Sequence, residues 1–412
     1  MNAPNTLDIT TPQAFADPAT LLANYQRMRA EDPVCFVEPA GYRPYWAVTK
    51  HADIIEIEKQ NERFINDPRL IVMPAEAEQM ILDATGGSNH LIRSLVDMDN
   101  PDHHKYRILT QAWFMPGNVK KRAEAVEGLA KHFIDKMADL GGECDFVRDV
   151  AVWFPLRVVM QILGVPEEDE PRMLQLTQEL FGGEDPEFGR SEFAIDANVV
   201  IDFHNYFSKI TADRRANPKD DVASVIANAE IDGEPIPELE AMSYYMIVAT
   251  AGHDTTSSST AGGLLALMEN PDQMAMLKKD MSLLPGAVEE MIRWVTPVKH
   301  FCRTATEDYE LRGKQIKKGD TLVMCYWSGN RDEEVFANAD RFDITRAPNP
   351  QIAFGHGAHK CLGMHLARME MAALYRELLS RLDHVELAGE PTYVAANFVS
   401  GLKSLPIRYK MK

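Results

Sequence analysis

The densest chemistry in the chain is the run Phe354-Gly355-His356-Gly357-Ala358-His359-Lys360-Cys361-Leu362-Gly363-Met364-His365. A proline-rich stretch and a short apolar run precede it, and a strongly helical segment follows. Cys361 therefore falls on a glycine-hinged loop that opens into a helix. Backbone N–H groups and the helix dipole at such a point favour a thiolate, the form of cysteine that ligates metal. Closely spaced glycines let the backbone approach a flat object and reach conformations closed to other residues. Three readings compete. His356, His359, Cys361 and His365 are types that suit zinc, although such crowding without a second ligand pair is not a usual structural zinc spacing. A lone cysteine is by default a buried structural residue. The third reading is a thiolate loop for haem, and the pattern of Phe354, Gly357, His359, Cys361 and Gly363 is far more specific than a lone cysteine.

Other constellations lie upstream. In Ala251-Gly252-His253-Asp254-Thr255-Thr256, Ala251 and Thr255 are four apart and share one helix face. A threonine there can simply bond the carbonyl one turn back. Glu290 and Arg293 are three apart and suit a charge-assisted pair, which on a surface is worth little. Asp99-Asn100-Pro101-Asp102-His103-His104-Lys105-Tyr106-Arg107 opens a helix on which His103 and Arg107 share a face, with His104 turned elsewhere toward the surface.

The elements that must position these groups are mostly helical. Asp17-Pro18, Asn100-Pro101 and Asn270-Pro271 read as capping residues before a first-turn proline. Helical periodicity runs over 119–140, 156–163, 201–215, 242–268 and 364–382; short strands are expected at 45–49, 298–304, 321–326 and 407–409. The acidic, glycine-rich run 182–189 reads as a mobile connection between helices. No repeat or dividing linker stands out, so the expectation is one domain over residues 1–412, predominantly α with small β-sheets (α+β).

Composition bounds the function. The 412 residues carry 43 Lys and Arg against 62 Asp and Glu, a net charge of −19, with 45% hydrophobic and 25% charged residues. That excludes wholesale disorder and argues against a general nucleic-acid binder. Five scattered cysteines form no disulfide framework and point to a reducing cytoplasm. No signal peptide is visible, and the richest apolar stretches, 154–165 and 244–252, end too soon or carry charge, so no membrane association is expected.

The stretch F-x-x-G-x-H-x-C-x-G at Phe354, Gly357, His359, Cys361 and Gly363 resembles the haem-binding signature of the cytochrome P450 family. The 251–255 run resembles that family's oxygen-activating helix motif, and Glu290–Arg293 its E-x-x-R element. The motifs stand in the family's order from 99 to 363. Within the family, 142–146, 154–171, 249–259 and 330–336 look like bacterial members that hydroxylate terpene alcohols; 68–87 and 182–200, which usually shape the pocket, look least like them.

The resemblance implies the P450 fold, with haem b buried between the long central helix and the Cys-loop helix. Cys361 would be the axial iron ligand. Phe354, Gly357, His359, Gly363, His103, Arg107, Arg303 and Ala251 would hold the cofactor. Thr255 and Asp254 would be catalytic, relaying protons. Glu290, Arg293 and a third arginine, Arg346 or else Arg341, would be structural. Val248, Ala251, Val298, Phe301, Phe398 and Val399 would line the substrate pocket.

The implied activity is a monooxygenase that inserts one oxygen atom from O2 into a C–H bond of a small apolar substrate, a terpenoid such as alpha-terpineol or a compact aromatic hydrocarbon. No flavin or nicotinamide domain is visible, so electrons are expected from an iron–sulfur ferredoxin and its reductase. Lys105, Lys120, Lys121, Arg122, Lys360 and Arg368 would offer a basic docking patch. A cytoplasmic monomer is expected. The alternatives are a peroxide-using or non-oxygenase haem-thiolate enzyme, a haem-based sensor, and a zinc-binding interaction protein.

Overall fold

The computed structural model describes residues 7–412 apart from 182, 184 and 190–196. The helices that matter below are Pro18–Glu31 (α1), His51–Glu58 (α2), Ala75–Thr85 (α3), Asp102–Phe114 (α4), Ala123–Asp139 (α5), Trp153–Ile162 (α6), Glu170–Phe181 (α7), Ala197–Ala216 (α8), Glu238–Glu269 (α9), Leu284–Val295 (α10) and Met364–Arg381 (α11). Strands Val34–Val37 (β1), Tyr45–Val48 (β2), Phe64–Ile65 (β3), His300–Ala305 and Thr321–Cys325 join in one sheet. With Glu143–Asp145 counted as β4, these last two are β5 and β6, and the sheet order is β1-β2-β6-β5-β3. Only the β2–β6 pairing is parallel. A second sheet pairs Leu382–Leu387 (β7), Pro406–Met411 (β8) and β4.

The expected helices and strands are present, with differences at their ends. Asp17 caps α1, its carboxylate accepting from Thr20 N, and Pro18 sits in the first turn. Asn100-Pro101 does not work this way: the peptide is cis, Pro101 itself holds the N-cap position, and α4 begins at Asp102. Asn270 holds the N-cap position with Pro271 in the first turn, but its side-chain amide turns back to the Ala266 carbonyl at 2.8 Å instead of bonding the new helix. The 119–140 run is divided, with a tight turn at Lys120–Arg122 ahead of α5. Val298 lies outside β5 and bridges Val399 instead. Residues 182 and 184 of the acidic connection lie outside the described residues. Its described part is tethered: buried Asp185 accepts from Ala395 N at 3.0 Å and from Lys403 Nζ at 3.1 Å.

Helix α9 is apolar on nearly every face, the pattern of a helix buried all round, and it runs through the largest core cluster. Gly252 lets α9 close on α6, since a Cβ there would stand 2.7 Å from Val159 Cγ2. The base of α10 is fixed by a closed ionic cluster. Glu290 and Arg293 are both 0% exposed and joined by two hydrogen bonds of 2.7 and 2.8 Å. Arg346 Nε at 3.1 Å, Asn349 Nδ2 at 3.1 Å and Asp343 N at 2.9 Å complete the Glu290 carboxylate. Arg293 Nη1 also donates to the carbonyls of Asn330 and Ala339. Arg346 is thus the third arginine, while Arg341 contributes only its carbonyl.

Among the described residues, no helix is long and apolar enough to cross a membrane. Cys35, Cys144, Cys302 and Cys325 are buried and in no disulfide.

Candidate functional site

The Cys361 loop is shaped by its contact with the end of α2. Gly357 has φ +68°, and a Cβ there would stand 2.0 Å from the Glu58 carbonyl oxygen, so only glycine fits. Glu58 also accepts from His356 N at 2.8 Å. Cys361 N donates to the Phe354 carbonyl at 2.8 Å, closing the loop on itself, and Arg368 lies 4.6 Å over the Phe354 ring. The Cys361 thiol is pushed up by burial, while the N–H groups of Gly363 and Met364 and the charges of Arg107 and Arg368 pull it down. Donors aimed at a half-buried sulfur at the mouth of α11 suit a thiolate held by a metal, because coordination deprotonates such a thiol outright. The zinc reading fails here: among the described residues, no group of three or more His, Cys, Asp or Glu is placed to hold a metal ion. His359 instead stacks on His103, with ring centroids 3.9 Å apart.

Around those two histidines positive charge gathers. Burial, with Arg303, His103 and Arg107 nearby, pushes His359 down to about 2; burial, with Arg107, His104 and Arg303, pushes His103 down to about 4. Arg107 donates to the Lys360 carbonyl at 2.6 Å, and Arg303 pairs with Glu58 at 3.2 Å. His359 meets the Asn66 amide at 3.1 Å. Three buried polar atoms in this quarter are left without a hydrogen bond: His103 Nε2, Asn66 Oδ1 and Thr304 Oγ1. Buried polar groups are rarely left so. A Cβ added at Gly363 would meet nothing within 4 Å, so the backbone beside Cys361 is bare. A flat macrocycle with acidic side arms fits this: a sulfur for its metal, open backbone under its plane, and cations with the unpartnered His103 Nε2 and Thr304 Oγ1 for its carboxylates. His104 is exposed and takes no part.

Helix α9 presents one face to a cavity of about 660 Å³. Within 241–267 of this buried helix, Ala251 alone is exposed, and it opens on that cavity together with Thr255. The Thr255 hydroxyl donates to the Ala251 carbonyl at 2.9 Å, so its oxygen still has lone pairs for a cavity group. Val298, Phe301, Phe398 and Val399 line the cavity as expected, and Phe301 and Phe398 pack at 5.3 Å. Val248 does not; it packs into the core, and Ile247 and Thr250 take its place because the exposed stripe of α9 is rotated away from it. Sequence reasoning missed Arg69, Leu70, Ile71 and Val72, which also line it, and Glu78 on α3. The only signal for them was the unusual 68–87 stretch.

Asp254 turns the other way. It faces a second cavity of about 280 Å³ with Ser257, Ser258, Arg148, Glu187 and Lys403. One oxygen lies 3.2 Å from His253 Nδ1 and the other, buried, has no hydrogen-bond partner. Val399 lines both cavities. The candidate docking patch is smaller than expected. Lys105 is paired with Asp232, Arg122 with Asp220 and Arg368 with Glu289, leaving Lys120, Lys121 and Lys360 as its exposed members.

Comparison with known proteins agrees with this geometry. The family model described as cytochrome P450 matches residues 196–411. The chain is 45% identical to Cytochrome P450-terp of a Pseudomonas species, over 97% of this chain and 96% of that one. It is 32% identical to the methyl-branched lipid omega-hydroxylase of Mycobacterium bovis, over 93% and 90% of the two chains. The solved structure of CYP108D1 from Novosphingobium aromaticivorans superposes with a TM-score of 0.91 at 47% identity, covering 98% of this chain and 97% of that one. That of Mycobacterium marinum CYP268A2 in complex with pseudoionone also scores 0.91, at 34% identity and 99% coverage of both.

Proposed function

Because the chain belongs to the cytochrome P450 family of haem-thiolate monooxygenases, we propose that it hydroxylates a small, largely apolar substrate, a terpenoid such as alpha-terpineol or a compact aromatic hydrocarbon. Cys361 would hold the haem iron in this reading, and the observation that carries it is the half-buried Cys361 sulfur receiving N–H groups from Gly363 and Met364 at the mouth of α11. Bound haem supplies activation of O2 and insertion of one oxygen atom into a C–H bond, with a thiolate ligand favouring O–O cleavage. The protein supplies position, dryness and protons. Phe354, Gly357 and Gly363 would shape the bed of the cofactor, while Arg107 and Arg303 would neutralise its carboxylates and His103 and His359 would hydrogen-bond them. The apolar side chains of Val298, Phe301, Phe398 and Val399 hold the substrate's body and exclude water.

On α9, Ala251 leaves room beside the reacting atoms, and the Thr255 hydroxyl accepts a proton from the solvent side and passes it on at its own oxygen. Asp254, on the polar cavity behind, would relay protons from solvent. In Thr255→Ala, reductant consumption should continue while product falls and hydrogen peroxide accumulates. Fully coupled turnover in that variant would remove the proton role. A requirement for reductant and O2 separates this reading from a peroxide-driven or non-oxygenase enzyme.

Electrons come from a small iron–sulfur ferredoxin served by its reductase and docked on the side bearing Lys120, Lys121 and Lys360. Residues 1–412 act as one domain, in the cytoplasm, as a monomer. A gel-filtration mass of one chain, and reduction by ferredoxin that slows with added salt, are the matching measurements.

A further inference from the structure

The cavity wall opposite the apolar residues carries a charged group that an oily substrate does not need. Arg69 follows β3, and its side chain is 9% exposed. Its Nε lies 2.8 Å from Glu78 Oε1, yet the two are misaligned, and neither atom has a hydrogen-bond partner. Its other donors reach the carbonyls of Pro44 and Arg43 at only 3.4 Å each. Glu78, on α3, is shared with Arg43, 2.7 Å away across the β1–β2 hairpin. One carboxylate thus faces two guanidiniums, which leaves a net positive charge. All three residues line the 660 Å³ cavity that also reaches Ala251 and Thr255. A buried guanidinium with every bond long or misaligned has unused donor capacity, and such a group costs stability unless something completes it. Arg293, by contrast, has every nitrogen engaged by the protein.

From this geometry we infer that Arg69 is a polar subsite of the substrate cavity, taking an acceptor oxygen of the substrate, and that Glu78 holds the guanidinium in place and tunes its charge. The favoured substrate is amphipathic: an apolar body lies against Phe301, Val298 and Val399, and an oxygen at its far end accepts from Arg69. This orients the body, so that one C–H bond rather than another is offered beside Thr255. The acceptor is either a neutral hydroxyl or carbonyl oxygen or a carboxylate; both share the chemistry that Arg69 reads. The inference rests on the reading of this cavity as the substrate site of a monooxygenase, and it adds a specificity-determining residue to it.

The test is a spectral binding titration of the holoenzyme with three probes of matched skeleton: limonene, alpha-terpineol and perillic acid, a hydrocarbon, an alcohol and an acid. Wild-type protein should bind at least one oxygenated probe about 10- to 100-fold more tightly than limonene, the range for a hydrogen bond to a charged group. In Arg69→Met that preference should vanish while limonene affinity holds. Glu78→Gln keeps the shape but removes the competing anion, so perillic acid should bind several-fold more tightly, with limonene unchanged. If the alcohol alone gains from Arg69, the acceptor is neutral; if the acid gains more, it is a carboxylate. Equal affinity for all three probes, no binding of any, or a preference that survives in Arg69→Met overturns the subsite. Failure of the underlying reading looks different: the reduced, carbon monoxide-treated wild-type protein then lacks the red-shifted thiolate band, whatever the probes do.

Discussion

Glu290 and Arg293 meet at the base of α10 with every oxygen and nitrogen of the pair engaged, Arg346, Asn349 and backbone groups supplying what the pair itself does not. Beside the Cys361 loop, His103, His359, Arg107 and Arg303 converge with only Glu58 as a counter-charge, and His103 Nε2 is orphaned. Both groups are cationic in part, the first wholly buried and the second with Arg107 and His359 only half-buried. The first is closed by the protein and so belongs to the fold; the second is left open, at a cost that a bound dianionic cofactor would remove. Between these two clusters, satisfaction of hydrogen bonds rather than charge alone is the difference.

The largest expected effect breaks the closed cluster. Glu290→Ala leaves Arg293 and Arg346 buried without their counter-ion, at about 3–5 kcal/mol. Chemical unfolding should show this loss with and without cofactor. A loss confined to the loaded protein would mean that the cluster serves the site. The open cluster should behave in the opposite way. Arg107→Gln removes one cation from a group that repels itself, so the cofactor-free fold should keep its stability, while haem affinity, measured by transfer to a competing haem acceptor, falls about 10- to 100-fold. Equal destabilisation of both forms would assign Arg107 to the fold.

His300 sharpens the comparison, because it is a buried histidine that the protein does complete. It accepts from Val72 N at 3.0 Å and meets the Asn397 carbonyl at 3.1 Å, tying together two segments of the cavity wall. Burial, with Arg69 nearby, pushes it down to about 3. The unfolded chain takes up this proton below about pH 6.5 while the folded chain does not, so stability is full above that pH and falls as the solution is acidified. The loss is about 2 kcal/mol between pH 7 and pH 5. It should be absent in His300→Gln and present with haem bound, whereas any share owed to His103 should shrink on haem binding. Acid sensitivity unchanged in His300→Gln would contradict this assignment.

The smallest effect lies on the surface. Lys120→Glu with Lys121→Glu should slow reduction by ferredoxin less than about fivefold, and only at low salt. No change at low salt would remove those lysines from the docking face.

Much of the site was legible because its chemistry is local. The Cys361 loop, the Ala251–Thr255 stripe and the Glu290–Arg293 pair each lie within a few residues, and their spacing follows from one turn of helix or one glycine-hinged loop. Arg346 was named because its sequence neighbourhood suited a third partner. The cavity wall was less legible. Val248 was placed there from α9, yet whether 247 or 248 faces a cavity depends on how the helix is rotated by its packing on α6, α10 and α11. Arg69 and Asn397 come from segments without a periodic pattern and Glu78 from a helix the sequence reading did not place; β5, His300 and the Asn397 amide join the first two segments. The docking patch failed in half its members for a similar reason. Lys105, Arg122 and Arg368 meet acidic partners 127, 98 and 79 residues away, which no local reading pairs.

The central claim is that Cys361, with the open cationic cluster beside it, holds a haem through its sulfur. It is tested most directly by the absorption spectrum of the purified protein, reduced and exposed to carbon monoxide, for wild type and Cys361→Ala side by side. A strongly red-shifted Soret band in wild type, lost in the variant, is the expected result. A band at the unshifted position in wild type, or a shifted band that survives in Cys361→Ala, would contradict it.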